Sequence, residues 1–171
     1  GTKYEREYLH ATRDAHSSVR LIAAEVIGRF QINGGIPHLA RLFSDENKFV
    51  RQAAVDSMVT IGTPNAQKQA AAELDSETPS ARACASETLG RLKSEERIQV
   101  HAKLIRDEHL PARRWATWAM GEIGYTEAAP ELFEVAFAED QDTQAKAGAI
   151  LSMGKLGFRK VLPQCRSLLP Q

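Results

Sequence analysis

Five stretches of the chain line up on one another. They begin at Val19, Val50, Ala81, Ala112 and Ala145, spaced 31, 31, 31 and 33 residues apart. A period of this size marks a supersecondary unit that cannot bury its apolar face alone and must stack on copies of itself. Counting the first residue of each stretch as position 1, small or apolar residues fall at positions 1, 4, 5, 8, 9 and 12, a single stripe at the α-helical period. Gly62, Gly124 and Gly157 share position 13, where a glycine ends a helix in the left-handed conformation. Pro37, Pro130 and Pro163 share position 19, which suits the first turn of a second helix, where the missing N–H has no partner to lose. Each unit therefore reads as two helices.

Position 10 lies inside the first helix and holds Gly28, Gly90, Gly121 and Gly154. A mid-helix glycine costs about 0.5–1 kcal/mol relative to alanine. Its recurrence predicts a helix crossing too tight for a side chain. Val59 stands there in the second unit, so that crossing is expected to be wider or rotated. The second helix of that unit, around Ala70-Ala71-Ala72, lacks bulk and is expected to be the weakest packing layer.

Val19-Arg20, Ala23-Ala24, Gly28, Pro37 and Leu39 in the first unit, and Arg113, Ala116, Gly121, Ile123-Gly124, Ala128, Pro130 and Leu132 in the fourth, carry a resemblance. The pattern resembles the HEAT-like repeat of the phycobilisome-lyase type over residues 16–169. The resemblance implies an all-α, right-handed α-solenoid, a HEAT-like or armadillo-like superhelix of about five two-helix repeats plus an N-terminal helix. Residues 1–15 are expected to be the second helix of a preceding or truncated repeat. The five repeats are expected at 16–45, 46–75, 76–107, 108–140 and 141–171, in one continuous solenoid that reads as part of a longer protein.

Charge and composition narrow the function. The 22 basic residues balance 22 acidic ones, which argues against a general nucleic-acid binder. Apolar runs are short, and Cys84 and Cys165 do not make a disulfide framework. The composition reads as a soluble, cytoplasmic protein. No catalytic, metal or cofactor site is expected. His10, His16, His38, His101 and His109 include no pair at the i, i+3 or i, i+4 spacing of two ligands on one helix face. Both cysteines fall at core phases. Gly148 to Lys155 misses the phosphate-loop spacing and has Leu156 where Ser or Thr must hold magnesium.

Two sets of residues stand out. Position 2 is basic throughout, as Arg20, Arg51, Arg82, Arg113 and Lys146, and Asp45, Asp107 and Asp140 punctuate the turns between units. Together they predict a structural ladder between neighbouring turns. The second-helix face, usually the concave and partner-binding side of a solenoid, carries His38, Arg41, Lys68, Gln69, Lys103, Glu127, Glu131, Glu134, Arg159 and Lys160. Trp118 joins these candidates because position 7 is acidic in the first three units. The favoured reading is a non-catalytic scaffold or adaptor that binds a protein partner. The alternatives are a subunit or chaperone of a bilin-lyase-like enzyme, which the resemblance implies, and a HEAT-like nucleic-acid-binding module, hinted at by Arg113, Arg114, Trp115 and Trp118. Tyr4, Tyr8 and Leu9 on the N-terminal helix predict weak self-association through that end.

Overall fold

The computed structural model describes residues 3–138 and 142–157. Among them are ten α-helices, four short 3-10 turns and no strand. α1 (Lys3–Ala11) is followed by α2 (Ser17–Arg29) and α3 (Ile36–Leu42), then α4 (Lys48–Ile61) and α5 (Pro64–Ala72). α6 (Pro79–Leu92) precedes α7 (Ile98–Lys103), α8 (Leu110–Ile123) precedes α9 (Ala129–Phe137), and α10 (Thr143–Leu156) follows. The first helices α2, α4, α6, α8 and α10 pack in that order, each on the next. The shorter helices between them fill the other side. One apolar core runs from Ala24 and Ile27 through Met58, Leu89, Met120 and Leu132 to Leu156. The chain is an all-α HEAT-like solenoid. None of its described helices is long and apolar enough to cross a membrane.

Local chemistry sets the helix ends. Pro37, Pro64, Pro79, Pro111 and Pro130 sit in first turns. The side chains of Asn47, Thr63 and Asp142 accept backbone N–H bonds at the starts of α4, α5 and α10. Position 13 has a positive φ in every unit: 49° at Gln31, 57° at Gly62, 51° at Lys93, 87° at Gly124 and 84° at Gly157. The glycines announce this stop. Gln31 and Lys93 make it with a Cβ, at a steric cost of about 1 kcal/mol.

Gly28, Gly90 and Gly121 of position 10 lie against the next first helix. A Cβ on Gly28 would come 2.5 Å from the Ser57 hydroxyl, and one on Gly121 would come 2.6 Å from Ser152. One on Gly90 would meet the Trp118 ring at 2.6 Å and the Ala119 Cβ at 2.8 Å. The close approach lets side chains reach the neighbouring backbone. The Ser57 hydroxyl donates to the Ala24 carbonyl at 2.8 Å, and that of Ser152 to the Thr117 carbonyl at 2.8 Å. Both bonds are buried. Where Val59 replaces the glycine, α4 and α6 share the smallest contact of the successive first-helix pairs. Thr88, which stands at the phase of Ser57 and Ser152, donates back into its own helix, to the Cys84 carbonyl.

Among the described residues, a Cβ on Gly154 would meet no atom of a neighbouring element within 4 Å, so the same residue type meets opposite situations in α8 and α10. Gly154→Ala is expected to stabilise the fold by roughly 0.5 kcal/mol through helix propensity. Gly121→Ala is expected to destabilise it by about 1–3 kcal/mol through overpacking. Urea unfolding of the two variants checks this. Equal effects of the same sign would contradict the tight crossing.

Candidate functional site

The arginines of position 2 reach across the turns that link the units. Arg20 donates to the Asp14 and Ala15 carbonyls, Arg51 to those of Asp45 and Glu46, and Arg82 to those of Ser76 and Glu77. Arg113 donates to the Asp107 carbonyl at 2.6 Å. Two of the four also hold a carboxylate in a bidentate fork. Arg20 meets Asp45 at 2.7 and 2.9 Å, and Arg82 meets Asp107 at 2.7 and 2.9 Å. These aspartates lie 25 residues after their arginines, so each pairs with the arginine of its own unit rather than the one that follows it. The ladder is therefore interrupted. The residue 25 places after Arg51 is Ser76, and after Arg113 it is Ala138. Among the described residues no carboxylate pairs with either. Asp140 lies outside the described residues, and Lys146 is engaged.

The aspartates do a second job. Asp45 accepts the Asn47 N–H at 2.9 Å, and Asp107 accepts the His109 N–H at 2.8 Å, which shapes the turn before the next helix. Ser76 does the same for Thr78, at 3.3 Å. The turn is kept at Ser76 and only the charge is lost.

The second helices present a row of polar side chains. Arg41, Lys68, Lys103, Glu127 and Glu134 are exposed, and His38, Gln69 and Glu131 are partly so. Arg41 donates to the buried Thr12 hydroxyl at 3.0 Å, and His38 Nδ1 lies 3.1 Å from the same oxygen. Lys103, Glu127 and Glu131 come together on a cleft of about 260 Å³ with Arg106 and Tyr125. Glu131 and Glu134 border a second cleft of about 300 Å³ with Arg106 and Arg113. Arg106 forms an ion pair with Glu134, and Arg97 with Asp75. Neither Arg97 nor Arg106 stands out in the sequence, because a basic residue one unit away from an acidic one is too common a signal. Arg159 and Lys160 lie outside the described residues.

Trp118 packs over Gly90 and against Trp115, the two rings edge to face with centroids 5.4 Å apart. Arg114 forks onto Asp142 at 2.8 and 2.7 Å. The residues that hinted at nucleic acid are thus engaged within the protein. At the N-terminal end, Tyr8, Val19 and Ile22 line an apolar cleft of about 380 Å³, with Tyr4 70% exposed and Ile22 55% exposed.

The chain belongs to the HEAT-repeat family, whose pattern matches residues 7–73 and 68–154. Its fold is similar to a chain in the complex of CpcE and CpcF of phycocyanin lyase from Nostoc sp. PCC7120. That match has a TM-score of 0.69 at 18% identity and covers 96% of this chain and 69% of that one. It is also similar to an engineered protein, with a TM-score of 0.57 at 14% identity, covering 99% of this chain and 91% of that one. No curated protein matches it.

Burial and pairing tune several groups. Burial works against the charged forms of Asp45 and Asp107, but the Arg20 and Arg82 forks and the turn N–H bonds outweigh it, and both carboxyls titrate below the ordinary range. The Arg114 fork brings Asp142 down to about 2. Burial, with Glu87 nearby, pushes the Cys84 thiol up to about 12. No group of three potential metal ligands occurs among the described residues.

His101 is the outlier. It is fully buried on α7, at the phase where Leu39 and Leu132 serve the core, and neither ring nitrogen has a partner among the described residues. Burial drives its pKa from 6.5 down to about 4. The unfolded chain therefore takes up this proton first as the pH falls. Stability is full above pH 6.5 and is lost progressively toward pH 4, by about 3 kcal/mol in total. His101→Leu is expected to be more stable at neutral pH, because it removes the unsatisfied nitrogens. Its advantage should widen as the pH drops through this window. Denaturant titrations of both proteins across that range check this. Stability curves that stay parallel would contradict it.

Proposed function

We propose that the chain is a non-catalytic interaction scaffold or adaptor that binds a protein partner along its second-helix face. The observation that carries this reading is the charge order along that face. Arg41, Lys68 and Lys103 give way to Glu127, Glu131 and Glu134, all on helices or turns that the stack leaves facing outward. Over the described residues this face passes from basic to acidic, and such an order orients a complementary partner and selects its register. HEAT repeats offer such extended surfaces because each unit contacts only its neighbours.

The bilin-lyase reading rests on the shared fold. Of the aromatic pair it would draw on, the Trp118 ring packs over Gly90 and edge to face on Trp115. Affinity capture from the source cells, with partners identified by mass spectrometry, tests the interface. Glu131→Lys with Glu134→Lys is expected to lose a partner that the unaltered protein retains, while Glu25→Lys on the opposite helices keeps it. Retention by the double variant would remove this face from the interaction.

The exposed apolar cleft at the N-terminal end supports a second contact, weak self-association through α1 and α2. Burial of apolar surface there contributes about 25 cal/mol per Å². Sedimentation velocity is expected to show a concentration-dependent increase that Tyr4→Ser with Tyr8→Ser abolishes. A concentration-independent monomer would show that this end does not self-associate.

A further inference from the structure

The interrupted ladder leaves a cation without its anion. A cavity of about 290 Å³ opens beside Arg51, across the N-terminal halves of α4 and α6 and the start of α8. Lys48, Gln52, Glu87, His109 and Trp115 border it. Arg51 uses one terminal nitrogen, Nη1, on the Asp45 and Glu46 carbonyls. Its Nε and Nη2 make no bond among the described residues, and neither is buried. His109 adds a ring nitrogen, Nδ1, that is buried without a partner among the described residues. Glu87 is already answered, by the Gln52 amide at 3.1 Å and by Arg91 at 3.3 Å.

The molecule contains its own controls. In the units of Arg20 and Arg82, the same Nε and Nη2 atoms grip an aspartate carboxylate carried on a polypeptide turn. At Arg51 the turn survives through Ser76 while the carboxylate is gone. The group that Nε and Nη2 hold in the other two units is thus chemically defined: the two coplanar oxygens of a carboxylate. Two cations against one satisfied carboxylate favour an anion. Trp115 gives the site an apolar wall.

We infer that this cavity takes the side-chain carboxylate of an acidic segment on a partner protein, which completes the Arg51 rung from outside. The site lies on the first helices, so its failure would leave the proposed second-helix interface untouched.

The test uses the full chain and a short peptide, blocked at both ends, with one aspartate between leucines. Its asparagine twin and acetate serve as comparisons. Binding is followed by NMR at the Trp115 indole N–H and the Arg51 Nε–H. The aspartate peptide is expected to bind about ten-fold more tightly than its twin, as one charge-assisted fork implies. Ser76→Asp supplies the carboxylate from within and is expected to abolish that preference. Arg51→Gln is expected to abolish it too, independently of how Ser76→Asp folds. Equal binding of the two peptides, or a preference that survives both variants, overturns the inference. Acetate binding as tightly as the aspartate peptide overturns the polypeptide as occupant and assigns the site to small carboxylates.

Discussion

The approach of one first helix to the next, close enough for a hydroxyl to reach the neighbouring backbone, is the constraint on which the stack depends. Ser57 and Ser152 bond the Ala24 and Thr117 carbonyls only because Gly28 and Gly121 remove the intervening Cβ. Those carbonyls already serve their own helices, so the added bond uses their second lone pair. Few side chains fit such a contact, which explains the alanine-rich first helices. With the first helices locked together, the second helices are left with one face on the core and the other in solvent. The charged row from Arg41 to Glu134 follows from that division.

The ladder fixes the turns in the same way as the glycines fix the helices. Every described arginine of position 2 binds carbonyls five or six residues behind it, whether or not a carboxylate lies ahead. The carbonyl contacts are therefore the constant structural part, and the Asp45 and Asp107 forks are additions to it. A buried ion pair is weak evidence for stability, since desolvation offsets much of the attraction. Its geometric demand is stronger: a planar fork fixes the angle between a turn and the helix before it. Loss of the carboxylate at Ser76 relaxes that demand without unmaking the turn, and Arg51 and Arg113, which have no carboxylate partner among the described residues, each border a cavity.

Much of this was legible in the sequence because periodicity compares the chain with itself. Gly28, Gly90 and Gly121 announced the tight crossings, Gly154 at the same position meets no described neighbour, and Val59 announced the layer with the smallest contact. Other features were hidden by the same averaging. Gln31 and Lys93 adopt the left-handed conformation that glycine signals elsewhere, because their place in the stack overrides local preference. Asp45 and Asp107 suggested a ladder between neighbouring turns, whereas each forks onto the arginine 25 places before it, in its own unit. Reading Ser76 against Asp45 and Asp107 would have exposed the gap. Trp118 stood at an acidic phase, and its ring stays partly exposed while it covers Gly90, a surface that the period alone does not reveal. His101, at a leucine phase, could be placed in the core by its register, but its unsatisfied nitrogens are visible only in three dimensions.

Native-state hydrogen exchange resolved by NMR tests the primacy of the first-helix contacts most directly. Amides of α2 and α8 around the carbonyl-bonded turns, from Ala24 to Gly28 and from Thr117 to Gly121, should exchange last, with opening energies near that of global unfolding. The second helices α3, α5, α7 and α9 should open earlier. Second helices that outlast the first would contradict the account, because the stack would then be held from its other side.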